Sequence, residues 1–390
     1  MKRLLWSLLL LGSLALARPY ILLISWDGFR WDYPDRGDFP ALRYMEEHGV
    51  RAESLQPVFP SKTFPNHYSL VTGMYPAHHG ILFNRFTDPA NGKRFSTKRP
   101  YKNALFSTDW YRGEPVWVTA RKNGLKTASV FWVGTEVDDA GRRPDYFEFY
   151  DHYMPHDSRI ARVMAHLQRP PAERPRFISL YFSDTDDAGH DFGPQSDEVT
   201  RAIARLDSSL GKIVQGIKDI GLADSVNIIL VSDHGMTATS PQRVVRMDSL
   251  LHGLKFTVNG SAQVASLLGD EKTMEEIESR LREHERGFRL YRREDIPAYF
   301  HLKGHRAIGP LLLVADPGWY MQMKFPLQSR GAHGYDNRFL DMHGIFLAMG
   351  PAFKQNYRSG MLRNIDLYPL MCRILNIKPS TGIDGNLINI

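Results

Sequence analysis

Three apolar runs in this chain each end in residues able to ligate a divalent cation. Ile21 to Ser25 leads into Trp26-Asp27-Gly28, and Ile228 to Ser232 leads into Asp233-His234-Gly235. Ile178 to Phe182 leads into Ser183-Asp184-Thr185-Asp186-Asp187-Ala188-Gly189-His190, and a further histidine stands in Gly331-Ala332-His333-Gly334. Each has an ordinary alternative: Asp-Gly after a strand is commonly a turn, and an isolated Asp-His pair a solvated loop. Three such ends with a third histidine exceed what turns alone require. Carboxylates and imidazoles without thiolates suit zinc or a similar borderline cation, whereas magnesium prefers an all-oxygen shell. Two such ions close together can hold the attacking and leaving oxygens of an in-line displacement.

The nucleophile that such a pair would serve is Thr63, in Phe59-Pro60-Ser61-Lys62-Thr63-Phe64-Pro65-Asn66-His67-Tyr68. Proline is tolerated in a first helical turn because its missing N–H would be unpaired there anyway. A helical run from Asn66 to Leu70 therefore sets Thr63 close to a helix start, where free amides and the dipole favour an anion. The ordinary alternative is a plain N-cap, the better reading of Thr-x-Pro taken alone. A threonine hydroxyl is a weak nucleophile at neutral pH, and direct coordination to a cation turns it into an alkoxide. An electrophile with oxygens for two cations is best met by phosphorus esters.

These residues need a scaffold. Apolar, β-branched runs recur at Tyr20 to Ser25, Ala128 to Val133, Phe177 to Phe182, Val226 to Ser232 and Gly344 to Met349. Helical patterns lie between them at Ala41 to His48, Arg159 to Leu167 and Val199 to Ile220. Buried strands alternating with helices predict an α/β sheet wound on both faces, with functional residues in loops beyond the strand carboxyl ends. The chain is long enough for one sizeable core or two modest domains, and it shows no repeat or low-complexity linker. Arg243 to Leu327 is expected to form a small cap or subdomain, with Asp270 to Arg286 as a charged, solvated helical stretch.

Lys2 and Arg3 precede the hydrophobic run Leu4 to Leu16 and a small-residue pattern at Ala15-Leu16-Ala17, which predicts a secretory signal peptide over residues 1–17. The alternative, a retained anchor, needs a longer apolar core than this one. No later stretch is long and apolar enough to span a bilayer. Loss of Lys2 and Arg3 lowers the formal charge from +6 to +4, compatible with an anionic substrate but not a sign of a nucleic-acid-binding face. Cys372 is the single cysteine, which excludes an intramolecular disulfide.

In this order, Ser61-Lys62-Thr63-Phe64-Pro65-Asn66-His67-Tyr68, Val71-Thr72-Gly73, His79-Gly80-Ile81, Gly113-Glu114-Pro115-Val116-Trp117, Asp186-x-x-Gly189-His190, Ser232-Asp233-His234-Gly235-Met236 and His333-Gly334-Tyr335-Asp336 resemble the nucleotide pyrophosphatase/phosphodiesterases of the alkaline phosphatase superfamily. The resemblance covers essentially all of residues 18–390 and implies one catalytic domain. Its implied fold is α/β and alkaline-phosphatase-like: a central mixed, mostly parallel β-sheet, helices on both faces and a small inserted subdomain. It implies two zinc ions, one held by Asp27, Thr63, Asp233 and His234, the other by Asp186, His190 and His333. Periodicity alone does not choose between Asp186 and Asp187; the family spacing selects Asp186.

The same resemblance implies a covalent nucleotidyl-threonine at Thr63 and a phosphoryl-oxygen donor at Asn84, a residue that local sequence alone would sooner place in a turn. It implies base stacking on Phe64 and Tyr181, although Tyr181 also reads as a core aromatic inside its strand. His67, His78, His79 and His343 are expected around the metals or in structural roles. Lys62 is expected either to attract phosphate or to be solvated.

The segment Val137 to His152 matches one present in nucleotide-hydrolysing relatives and absent from lysophospholipase-D-type relatives, although Val133 and Thr135 replace the usual Pro and Ser before it. Nucleotides are thus favoured over lysophospholipids. The cysteine-rich and nuclease-like modules of animal members have no counterpart in the sequence. The resulting expectation is a bacterial, secreted or periplasmic enzyme, monomeric, acting on small nucleotides without a stable nucleic-acid complex. The competing readings are a phosphomonoesterase, a choline-phosphate or lysophospholipid phosphodiesterase on the same site, and a non-catalytic exported binding protein.

Overall fold

The structure, a computed structural model, describes residues 19–97 and 101–388. The leader-like run over residues 1–17 lies outside them. Eight strands form the central sheet, in the order Tyr357–Ser359, Gly49–Ala52, Phe346–Met349, Val226–Val231, Tyr20–Trp26, Phe177–Phe182, Thr127–Val130 and Tyr146–Phe147. Only Phe346–Met349 runs against its neighbours; every other adjacent pair is parallel. The mixed, mostly parallel α/β sheet of the sequence reading is therefore the one observed.

Central parallel strands are covered on both faces, so they read as continuous apolar runs rather than alternating ones. Tyr20–Trp26 and Val226–Val231 are buried at every position. Alternate side chains still diverge. Ile21 and Leu23 join one core with the helices Thr63–Thr72, Val116–Lys122 and Leu367–Ile374. Leu22, Ile24 and Trp26 join the opposite core with the helices Pro40–Glu47, His156–Leu167 and Asp197–Asp219. The register brings the three ligand-bearing ends level: Ser25 pairs with both Tyr181 and Val231, and Trp26 with Phe182.

Two elements depart from expectation. The strand expected to reach Val133 ends at Val130, because Phe131 adopts φ 70° and turns the chain. Asp184–Phe192, expected as a loop, is a helix. Its first turn carries Asp184, Asp186 and Asp187, where carboxylates complement the dipole.

Within the region expected as a cap, Thr257–Gly260, Val264–Leu268, Leu311–Ala315 and Phe288–Arg292 form a four-stranded antiparallel sheet. The helix Glu271–Arg282, capped by Asp270 accepting the Thr273 N–H at 2.8 Å, buries Met274, Ile277 and Leu281 at helical spacing against one face. Val264, Leu312 and Val314 on the other face belong to the main core. Among the described residues, no helix is long and apolar enough to cross a membrane.

Candidate active site

Beyond the level strand ends, three turns bring the acids together. Asp27 follows Trp26 with its N–H on the Phe182 carbonyl, 2.9 Å away. Gly28, at φ 64°, returns the chain so closely over the next helix that a Cβ there would stand 2.9 Å from the Asp186 Cα. Its N–H donates to Asp233 Oδ1 at 3.2 Å. Thr185 adds a hydroxyl bond to the Asp27 carbonyl at 2.6 Å. Asp27, Asp233, His234 and His333 are all buried, while Asp186 and His190 are partly exposed.

The histidines are oriented from behind. His234 Nδ1 lies 2.9 Å from the Gly235 carbonyl, His333 Nδ1 2.8 Å from the Ser61 carbonyl, and His190 Nδ1 2.8 Å from the Gly331 carbonyl. A carbonyl can only accept, so each ring carries a proton on Nδ1, and in its neutral form presents an Nε2 lone pair. Those lone pairs face carboxylates. His234 Nε2 is 3.1 Å from Asp233 Oδ2 and 3.4 Å from Asp27 Oδ1. His190 and His333 Nε2 are 3.5 and 3.7 Å from Asp186 Oδ1.

The His234 and His333 contacts are not ion pairs, since burial holds both rings well below the usual imidazole range. Desolvation, reinforced by Asp233 and Asp186, pushes the Asp27 carboxyl well above its usual range, and burial with Asp186 does the same for Asp233. Asp27 Oδ1, Asp186 Oδ1 and Asp233 Oδ2 are buried and find no hydrogen-bond partner among the described residues. Lone pairs facing lone pairs in a largely buried site call for positive charge between them, either a proton on a raised carboxyl or a bound cation. The donor set of carboxylate oxygens and imidazole nitrogens fits divalent cations of the zinc class.

Ligand atoms within 4.8 Å of one another group as Asp186, His234 and His333, and as Asp27, His67 and Asp233. His67 has no free lone pair to offer. Its Nδ1 meets the Thr63 carbonyl at 2.9 Å, one helical turn back, and its Nε2 meets Ser25 Oγ at 2.8 Å. His234 stands between the groups, its ring stacked on His333 with centroids 3.6 Å apart.

Thr63 is the first residue of the helix Thr63–Thr72 and Lys62 is its N-cap position, so Thr63 is not the cap. Its Oγ1 lies 3.3 Å from His234 Nε2. Asn84 Oδ1 accepts the Phe64 N–H at 3.1 Å, which leaves the amide Nδ2 as the free end. Phe64 is half-buried and meets Phe95 edge-on. The Tyr181 hydroxyl donates to Asp27 Oδ2 at 2.7 Å, and its ring touches His67 and Tyr150. Tyr150, which no sequence signal singled out, is half-buried beside it.

The expectation for Lys62 is corrected, while the neighbouring acids and histidines take the partners given below. Lys62 is buried, neither solvated nor free for phosphate: its Nζ donates to the His333 carbonyl at 2.5 Å and to Gln263 Oε1 at 2.9 Å. Desolvation brings its ammonium down to about 7. Asp187 bonds Ser183 Oγ at 2.8 Å, and Asp184 bonds His156 Nε2 at 2.9 Å, so Asp186 is the acid that faces the cluster. His78 binds Asp384, His79 binds Ser69, and His343 binds Ser54.

A sequence model of the family described as type I phosphodiesterase / nucleotide pyrophosphatase matches residues 21–336. Human ectonucleotide pyrophosphatase/phosphodiesterase family member 5 is 36% identical over 359 residues, covering 92% of this chain and 74% of that protein. Human family member 1 is 36% identical over 386 residues, 95% of this chain, but the match spans only 41% of that protein. A bis(5'-adenosyl)-triphosphatase of Bos taurus is 36% identical over 94% of this chain and 80% of its own length. The murine family member 5, solved as an inactive threonine-to-alanine variant in complex with AMP, superposes with a TM-score of 0.90 at 33% identity over 95% of this chain and 98% of that one. Agreement of sequence over 316 residues and of backbone over nearly the whole chain places this protein in the type I phosphodiesterase / nucleotide pyrophosphatase family.

Proposed function

We propose that this protein is a zinc-dependent nucleotide pyrophosphatase/phosphodiesterase that attacks nucleotide diesters and pyrophosphates through Thr63 and releases nucleoside 5'-monophosphates. The observation that carries this reading is Thr63 Oγ1 at a helix N-terminus, 3.3 Å from a bare His234 Nε2 and beside unpartnered buried carboxylate oxygens. Asp27, Asp233 and His234 with Thr63 would hold one cation, and Asp186, His190 and His333 the other. When bound, two such ions lower the hydroxyl pKa and neutralise phosphoryl oxygens.

The chain's own residues supply the rest. The first turn of the helix Thr63–Thr72 turns its dipole toward the attacked phosphorus. Asn84, held by the Phe64 N–H, donates through Nδ2 to a non-bridging oxygen. His67 ties the Thr63 carbonyl to Ser25, which fixes the nucleophile's backbone against the central strand. Phe64 offers a stacking face for the base. Tyr181, with its hydroxyl on Asp27, orients that carboxylate, and Tyr150 is a second half-buried ring beside it. Stacking of about 1–3 kcal/mol per base tolerates different bases, so broad base preference is expected.

Thr63→Ala is expected to lower kcat for a nitrophenyl nucleoside-monophosphate ester by about 10⁴-fold or more while leaving folding and metal content intact. Retained turnover would refute the nucleophile. A panel of nitrophenyl monophosphate, nucleotide diester and lysophospholipid separates the phosphomonoesterase and lipid readings. Zinc analysis separates the non-catalytic one. The reading carries with it a monomer, export to the periplasm or medium, and residues 18–390 as one domain with a subdomain near 243–327. Sedimentation and N-terminal sequencing of the mature chain check these.

A further inference from the structure

The two residues before Thr63 are joined to the His333 loop at three points. The Ser61 carbonyl accepts from His333 Nδ1 at 2.8 Å, and the Ser61 hydroxyl donates to the Tyr335 carbonyl at 2.7 Å. The Lys62 ammonium donates to the His333 carbonyl at 2.5 Å. The lysine stem reaches that carbonyl by crossing Gly334, which is at φ 109°, and a Cβ on Gly334 would collide with Lys62 Cε. Behind the ammonium stands Gln263, itself buried, at the start of the strand Val264–Leu268 of the four-stranded sheet. Gln263 Oε1 accepts from Lys62 at 2.9 Å and from the Ser261 hydroxyl at 3.0 Å.

A buried ammonium is costly, and here its named partners are neutral oxygens rather than a carboxylate. A methionine would fill the same volume without that cost. What the amine supplies is direction: three donors set between two acceptors on separate parts of the chain. We infer that Lys62 is a positioning residue, braced by Gln263 of the inserted sheet, that sets the His333 imidazole relative to Thr63. The inserted sheet is thereby part of the catalytic scaffold rather than a decoration on it. Thr63 and His333 lie 270 residues apart in sequence, yet a two-residue stitch fixes their separation. This inference rests on His333 being a cation ligand.

The test removes the brace without touching a residue of the site. Gln263→Leu, Gln263→Glu, Gly334→Ala and Lys62→Met are compared with the unaltered chain by calorimetric titration of metal-free protein with zinc chloride, and by steady-state turnover of a nitrophenyl nucleotide ester. Gln263→Leu is expected to weaken cation binding by roughly tenfold, within the range seen when partners behind a metal ligand are lost. Its kcat should fall in step while KM changes little. Gln263→Glu keeps the acceptor and should restore both. Gly334→Ala should resemble Lys62→Met, since each removes the same bond. Melting temperatures in chelator show whether Lys62→Met has simply failed to fold, in which case Gln263→Leu and Gln263→Glu decide.

Zinc affinity and kcat in Gln263→Leu equal to those of the unaltered chain overturn the inference while leaving the metal reading in place. An unaltered chain that binds no zinc overturns both.

Discussion

Asn84 cannot turn its carboxamide without breaking the bond to the Phe64 N–H, the residue directly after Thr63. On the proposed reading, one amide holds the Phe64 N–H with its oxygen and offers its nitrogen to the reaction. Asn84→Ala is expected to lower kcat by about 10²–10³-fold with a small change in KM, the size seen when one oxyanion donor is removed. Steady-state kinetics with a nucleotide ester measures it. Asn84→Asp should be worse, because a carboxylate keeps the acceptor, loses the donor and repels a phosphoryl oxygen. Residue identity was the most legible level: acids and histidines without thiolates announce their chemistry wherever they lie. Lys62 was the exception, since nothing local distinguishes a buried lysine from a solvated one.

The helix Thr63–Thr72 is held at its far end by Gly73, in the left-handed region at φ 65°. A Cβ there would meet the Tyr368 ring at 3.1 Å and the Ile365 carbonyl at 3.2 Å. The Gly73 carbonyl also accepts the Asp384 and Gly385 N–H groups, at 2.8 and 2.9 Å. Gly73→Ala is expected to cost about 1–2 kcal/mol from conformation alone, and more if Tyr368 cannot give way. The loss should appear as a lower urea midpoint, with kcat per folded molecule nearly unchanged, because the strained end is ten residues from Thr63. The sequence reading placed this helix later, at Asn66. It missed the helix Asp184–Phe192 because Asp, Thr and Gly are weak helix formers. That helix exists through tertiary contacts: Thr185 binds the Asp27 carbonyl, and Gly189 lies so close to Met236 that a Cβ would clash.

Between the inserted region and the main body, Asp88 joins Arg306 through both carboxylate oxygens, one bond measuring 2.8 Å. The Arg306 guanidinium holds the Asp88 carboxyl below its usual range. A carboxyl lowered by folding stabilises the protein above its unfolded pKa of roughly 4, and that contribution is lost as pH falls through the folded value. Asp88→Asn should therefore melt lower than the unaltered chain at pH 7, by a small margin because the arginine of the pair is exposed to solvent. The gap should close below about pH 4. Scanning calorimetry at several pH values measures it, and a gap that widens in acid would contradict the assignment.

The order of strand ends, the kind of ligands, the threonine before a helix and the α/β class are properties of short stretches. Burial pattern and side-chain chemistry are written there residue by residue, and the sequence alone determined them. Which lone pairs face inward, which partner holds Asp184 away from the site, and what Lys62 holds depend on groups far away in the sequence. Only the tertiary structure decided those, because a hydrogen bond between distant segments leaves no local periodicity to read.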